Sequence, residues 1–358
     1  MKEYVEIASA KEEDIFDPKA DSSLSDSELK NKQDRYREFN ADQEINKITQ
    51  RVFGTDPTHF AVAGNTANAF DHVVFEVRVT VDGQERSLVY RIAASTDPAH
   101  DLELEKMLHA LWGENGIPSP RIYAAEPRGE DFPYGFMVMD KVGTGSLEAR
   151  LAEQPSEGNH YAREAGKFLS TLHKIKLPRF GSLSLRQAQN GTLTGVAHSW
   201  GEALRVRLDE TTEYLVTHGI IDNETVVAVY DAFDRGEHLL DLAQGMLLHG
   251  DYHDANILID EETRSIAGAI DLSQPKIGDP LFDVAFYATY YPQEKVNHFL
   301  EGYFLDTARP DDMARKISLY QLRIYMSKAK LRKRFGYEDR IPAAVVGIQR
   351  SLKFLTTI

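Results

Sequence analysis

Residues 249–260 read HGDYHDANILID, and residues 269–285 read AIDLSQPKIGDPLFDVA. Each stretch carries three aspartates. Ile257, Leu258, Ile259, Ala269 and Ile270 predict short strands beside those acids. Carboxylates next to a core are costly unless a partner neutralises them. A divalent cation is one such partner. Asp251 and Asn256 stand five residues apart in a segment with turn character, and Asp271 follows a strand. Hard oxygen donors of this kind suit Mg²⁺, which binds through few carboxylates and keeps water or phosphate in its remaining positions.

The rest of the chain bounds the chemistry. Its 358 residues predict about two domains. A formal charge of −15 opposes a nucleic-acid surface, which is normally basic. The absence of cysteine excludes disulfides, cysteine-ligated zinc, iron–sulfur clusters and thiolate nucleophiles. MKEYVEIASAKEEDIFDPKA, at the N-terminus, lacks the apolar segment of a signal peptide. No stretch approaches the roughly 20 apolar residues of a membrane span. The expectation is a cytoplasmic protein without nucleic-acid or membrane partners; the sequence does not set its oligomeric state.

Secondary-structure signals change along the chain. Residues 1–45 are dense in charge and read as an extension, with Ser25 placed to cap a helix from Asp26. HFAVAG (59–64), VVFEVRVTV (73–81) and RSLVYRIAA (86–94) read as strands, with Asp82-Gly83 as a hairpin turn. DLELEKMLHALWG (101–113) reads as a helix and FPYGFMVMDKVG (132–143) as a further strand, so the order is β, β, β, α, β. Helical spacing then dominates, at residues 160–175, 198–219 and 225–236 and in a long segment at 311–335. The basic end of that last segment, Lys328 to Arg334, reads as a solvated face.

Taken in order, H-G-D-x-x-x-x-N, a strand, I-D and G-D-P-x-x-D resemble the motifs of the aminoglycoside phosphotransferase and choline kinase-like family. That family is a branch of the protein-kinase-like fold. Protein kinases carry H-R-D-L-x-x-x-N and D-F-G; here Leu272 and Ser273 replace the phenylalanine and glycine. The resemblance covers most of residues 55–300. It implies an α+β, two-lobe fold, with an extension at 1–45, a small β-rich nucleotide-binding lobe at 46–142 and a larger, mainly helical catalytic lobe at 143–358.

The resemblance also implies roles. Asp251 accepts the proton of a hydroxyl nucleophile, and Asn256 and Asp271 hold Mg²⁺ against the phosphates of ATP or GTP. His249 and Asp283 brace the loop, and Asp279 is scaffold. AGNTANAFD (63–71) covers the phosphates through Gly64, Asn65 and Thr66. Arg91 stands where relatives often have lysine, keeping the charge on a planar fork. Its acidic partner is Glu103 or Glu105, which face apart because two residues turn a helix by about 200°; Glu105 is preferred. The main chain near Asp140 and Val142 contacts the purine edge.

His253 recurs four residues after His249, but HGDYH is not H-E-x-x-H, so a zinc site is not expected. Trp200, Tyr214, Tyr230 and Asp231 are candidate acceptor contacts, and the acidic composition suits an amino-sugar or choline-like cation. The segment from Asp271 to Asp279 is too short for a protein-kinase activation loop, which favours a small-molecule acceptor. Two readings follow. One is a Mg²⁺-dependent kinase acting on a small-molecule hydroxyl; the other is a catalytically silent binding protein on the same scaffold.

Overall fold

Asp82 and Gly83 both take positive φ, 51° and 74°. Such a reversal matches the right-handed twist of the strands it joins. It connects β2 (His72–Val81) to β3 (Gln84–Ala93), antiparallel, with Val81 opposite Gln84. The computed structural model describes residues 16–21, 24–28, 40–62, 72–93, 102–127, 132, 135–272 and 274–357. The chain packs as two units, residues 23–142 and residues 143–358, the latter joined by the segment before residue 23.

In the first unit, α1 (Ala41–Phe53) precedes β1 (Pro57–Val62), and α2 (Leu102–Glu114) follows β3. The sheet is completed by β4 (Ile122–Glu126) and β5 (Gly135–Asp140) in the antiparallel order β1-β2-β3-β5-β4. One face is apolar by alternation: Phe75, Val77 and Val79 on β2 and Leu88, Tyr90 and Ile92 on β3 pack with Ile45 and Ile48 of α1. The edge strand β4 is absent from the β, β, β, α, β expectation. Its sequence, IYAAE, is short, largely half-buried and holds two alanines, so it lacks the alternation that marks a strand.

The second unit is mainly helical. The segment expected as one helix at 198–219 is two, Trp200–Arg205 and Leu208–Thr217, broken where Arg207 adopts φ 51°. Helix α3 (Gly158–Leu172) lies against α5 (Gln293–Tyr303) along a seam of glycines. A Cβ on Gly302 would sit 1.9 Å from the Arg163 carbonyl oxygen, and one on Gly166 would sit 2.1 Å from that of Phe299. Gly302→Ala therefore forces the helices apart. It is expected to cost about 1–3 kcal/mol, read as a lower urea midpoint with an unchanged m-value.

Helix α6 (Met313–Arg334) corrects a second expectation. Its basic end is not a solvated face, because Lys328, Lys330 and Arg334 are all buried. The N-terminal segment explains two of them. Lys330 donates to Asp21 Oδ1 at 2.6 Å, and Arg334 to the Ala20 carbonyl at 2.7 Å. Phe16 of the same segment lies 3.9 Å under the Arg323 guanidinium and edge-on to Phe282. Trp200 is fully buried against Phe282 and Tyr320, so this side chain is core and offers no acceptor surface.

Candidate active site

Strand β6 (Gly245–Leu248) runs into His249-Gly250-Asp251, and the local sequence dictates the turn. Gly250 has φ +82°, and a Cβ there would meet the Gln274 carbonyl oxygen at 1.8 Å. Only glycine fits that backbone. The loop is then pinned from below by Asp283, on α4 (Leu281–Ala288). Fully buried, Asp283 accepts from the His249 N–H at 2.7 Å, the Gly250 N–H at 2.9 Å and His173 Nε2 at 3.1 Å. His173 in turn hydrogen-bonds through Nδ1 to the Tyr303 hydroxyl at 2.7 Å. Burial pushes the Asp283 carboxyl up, but the bond to His173, the charges of His173 and His249, and the Gly250 N–H together hold it below its ordinary value. Burial, with a smaller push from His253, moves the His249 imidazole down against the pull of Asp283, Asp251 and Asp271.

Farther along the loop, Tyr252 is buried and donates to the Ala165 carbonyl at 2.9 Å. The Asp254 N–H donates to the Tyr291 hydroxyl at 2.7 Å, and the Asp254 carboxylate pairs with Lys295. Asn256 Nδ2 donates to the Asp251 carbonyl at 2.9 Å and approaches Asp251 Oδ2 at 3.4 Å. Those bonds use the amide nitrogen of Asn256; among the described residues its amide oxygen accepts no hydrogen bond. Strand β7 (Ile257–Asp260) pairs with β8 (Ser265–Ala269), and the Ile270 N–H donates to the Asn256 carbonyl at 2.9 Å. Asp271 comes next, at φ 64°. Asp251 and Asn256 are thus bonded to each other, and Asp271 directly follows the residue whose N–H meets Asn256.

The remaining expected residues lie in the sheet unit or outside the description. Arg91 on β3 bonds to Glu105 on α2, both nearly buried, and His109 stands 3.7 Å from the same carboxylate. Glu103 faces out and pairs with Lys106 at 3.5 Å. At the end of β5 the Asp140 N–H donates to the Arg121 carbonyl at 3.0 Å, and Asp140 Oδ1 accepts from the Tyr123 hydroxyl at 2.8 Å. Any main-chain contact by Asp140 must therefore use its carbonyl. Val142 begins the loop that leaves the sheet. Gly64, Asn65 and Thr66 lie outside the described residues. Sequence reasoning missed Tyr290: its ring stacks on His253 at 4.6 Å, while His253 Nε2 stands 3.5 Å from Asp251 Oδ1. The run Tyr287, Tyr290, Tyr291 beside the motif was the available signal.

Among the described residues, no helix is long and apolar enough to cross a membrane, and no group of three or more His, Asp or Glu side chains is placed to hold a metal by itself. A pair comprising one amide oxygen and one carboxylate remains. That donor set fits a magnesium ion completed by water and phosphate.

Comparison with known proteins bears on the family and the fold. The phosphotransferase enzyme family matches residues 71–316. An aminoglycoside phosphotransferase, APH(4)-Ia, solved with AMP-PNP and hygromycin B, superposes with a TM-score of 0.66 at 17% identity, covering 87% of this chain and 98% of that one. The GDP complex of an aminoglycoside 2'-phosphotransferase IIIa gives 0.58 at 17% identity, covering 88% and 96%. At such identities the likeness is one of fold. The protein YcbJ of Bacillus subtilis (strain 168), itself uncharacterized, is 37% identical over 57 residues, a match spanning 16% of this chain and 18% of that protein.

Proposed function

This chain belongs to the phosphotransferase enzyme family, and from that premise we propose that it transfers the γ-phosphoryl group of ATP or GTP to a hydroxyl of a small molecule in the cytoplasm. The observation that carries the reading is the loop held by Asp283, on which the Asn256 amide is hydrogen-bonded to Asp251. Phosphoryl transfer asks little covalent chemistry of the protein and much positioning and charge neutralisation.

In this reading Asp251 accepts the acceptor's hydroxyl proton as its oxygen forms a new bond to phosphorus and the bond to the departing diphosphate breaks. Asn256 and Asp271 would hold Mg²⁺, which when bound neutralises charge on the phosphates. Arg91, oriented by Glu105, steadies the phosphates, and Gly64, Asn65 and Thr66 cover them with main-chain N–H groups. The main chain at Asp140 and Val142 reads the purine. Residues 46–142 then serve as the nucleotide-binding lobe, and 143–358 carry the catalytic residues and bind the acceptor.

The test is consumption of ATP or GTP with magnesium, across aminoglycosides, macrolides, choline analogues, sugars and amino acids. Turnover above background with one class supports the reading, as does loss of magnesium-dependent nucleotide binding in Asp271→Ala. Nucleotide binding that ignores magnesium, with no turnover on any acceptor, would favour the silent binding protein instead.

A further inference from the structure

Lys328 takes no part in that scheme. On α6 it is 9% exposed. Its Nζ donates to Thr289 Oγ1 at 2.6 Å and lies 3.5 Å from the Tyr290 ring centre and 4.6 Å from that of Phe286. One hydroxyl uses one of an ammonium's three N–H donors. Among the described residues no carboxylate forms an ion pair with Lys328. Arg332 follows one helical turn later, donates to the Arg340 carbonyl at 2.6 Å and likewise has no ion pair among the described residues. Like charges at this spacing repel.

The neighbouring cations of α6 are treated differently. Lys330 meets Asp21, and Arg334 meets the Ala20 carbonyl. Arg323, fully buried, donates to the carbonyls of Leu204 and Val206 and to Ser327. Lys328 instead meets one hydroxyl and two ring faces. Burial pushes Lys328 well down against the pull of Asp251 and Asp17, and it pushes Arg332 down as well.

Lys328, which has no carboxylate in ion-pair contact among the described residues, is next to the proposed chemistry. Tyr290, 44% exposed, joins Lys328 on one side to His253 on the other, and His253 reaches Asp251. All of these residues lie in the helical unit. A buried ammonium without a counter-charge is costly, and a bound anion removes that cost. A cationic acceptor would instead bring a second positive charge up to Lys328.

We infer that the acceptor alcohol carries an anionic group, a carboxylate or a phosphate, which docks against Lys328 on the Tyr290 wall, one helical turn from Arg332, while its hydroxyl reaches Asp251. The inference rests on the phosphotransferase reading and opposes the cation expected from composition. The net charge of −15 does not decide the matter, because exposed charges more than about 8 Å away are screened at physiological salt.

The test is calorimetric binding to the full-length protein of four probes matched in size: glucose, gluconate, glucose 6-phosphate and glucosamine. Gluconate or glucose 6-phosphate is expected to bind at least about tenfold tighter than glucosamine, and whichever does so distinguishes carboxylate from phosphate. Lys328→Met should erase that ratio and Lys328→Arg should keep it. Melting of Lys328→Met is expected at or above the wild-type temperature, since an apolar chain replaces a buried charge. Glucosamine binding equally or better, no binding by any probe, or an unchanged ratio in Lys328→Met overturns the inference. Magnesium-dependent nucleotide binding is scored separately: its survival alongside a lost charge preference sinks this inference alone, whereas its absence sinks the reading beneath.

Discussion

Asp283→Ala is expected to lose about 3–5 kcal/mol of folding stability and all measurable turnover. The carboxylate is wholly buried and receives the N–H groups of His249 and Gly250 and the Nε2 of His173. Deleting it leaves three donors facing a void, and each orphan costs about 1–3 kcal/mol, not additively. Asp283→Asn is a milder version, because its amide oxygen still accepts from the donors on one side although its N–H₂ opposes the other. Urea unfolding reads the difference. A loss under about 1 kcal/mol would mean that water or a rearranged side chain replaces the carboxylate, and that the loop is not braced as described. The same residue sets an acid limit. Its folded value is lowered, so the unfolded chain binds more protons as the pH falls. Its contribution is therefore complete above about pH 4 and lost below it. His249, fully buried and with its value also lowered, acts earlier. The unfolded imidazole gains a proton below about pH 6.5, so stability starts to erode there. Asp283→Ala should remove the lower of these two steps.

Asp251→Ala is expected to behave in the opposite way. Turnover should fall by about 10²–10⁴-fold, with little change in stability or nucleotide affinity. The Asp251 side chain makes only long contacts, 3.4 Å to Asn256 Nδ2 and 3.5 Å to His253 Nε2. The main-chain carbonyl of residue 251, which orients Asn256 at 2.9 Å, survives the substitution. The two variants therefore separate a brace from a base: one loses structure and activity together, the other activity alone. Steady-state kinetics on the acceptor, or on background nucleotide hydrolysis, supplies the measurement. Retention of turnover within about tenfold of wild type would remove Asp251 from the role of base.

The loop itself was legible because its chemistry is local. The step from Asp251 to Asn256 and the glycine at 250 are set within eight residues, HGDYHDAN. The hairpin at Asp82-Gly83 was legible for the same reason. What escaped depended on partners far away in the chain. Lys330 and Arg334 look like solvent-facing cations until the segment at Ala20 and Asp21, more than 300 residues upstream, comes to lie against them. The choice between Glu103 and Glu105 turns on which side of α2 meets β3, and helix spacing alone cannot set that rotation. Gly166 and Gly302 each read as weak points in a helix; only as a facing pair do they show their use. Trp200, an aromatic near the motifs, was drawn toward the site by reputation and belongs to the core.

The glycine seam between α3 and α5 also bears on timing. His173 stands at the end of α3 and Tyr303 at the end of α5, and the bond between them leads directly to Asp283. Two backbones in contact leave no side-chain cushion to absorb a local fluctuation. Breathing at residues 249 and 250 should then require both helices to separate at once. Hydrogen–deuterium exchange of those two amides is expected to track global unfolding, and Gly302→Ala should quicken it without altering any residue of the loop.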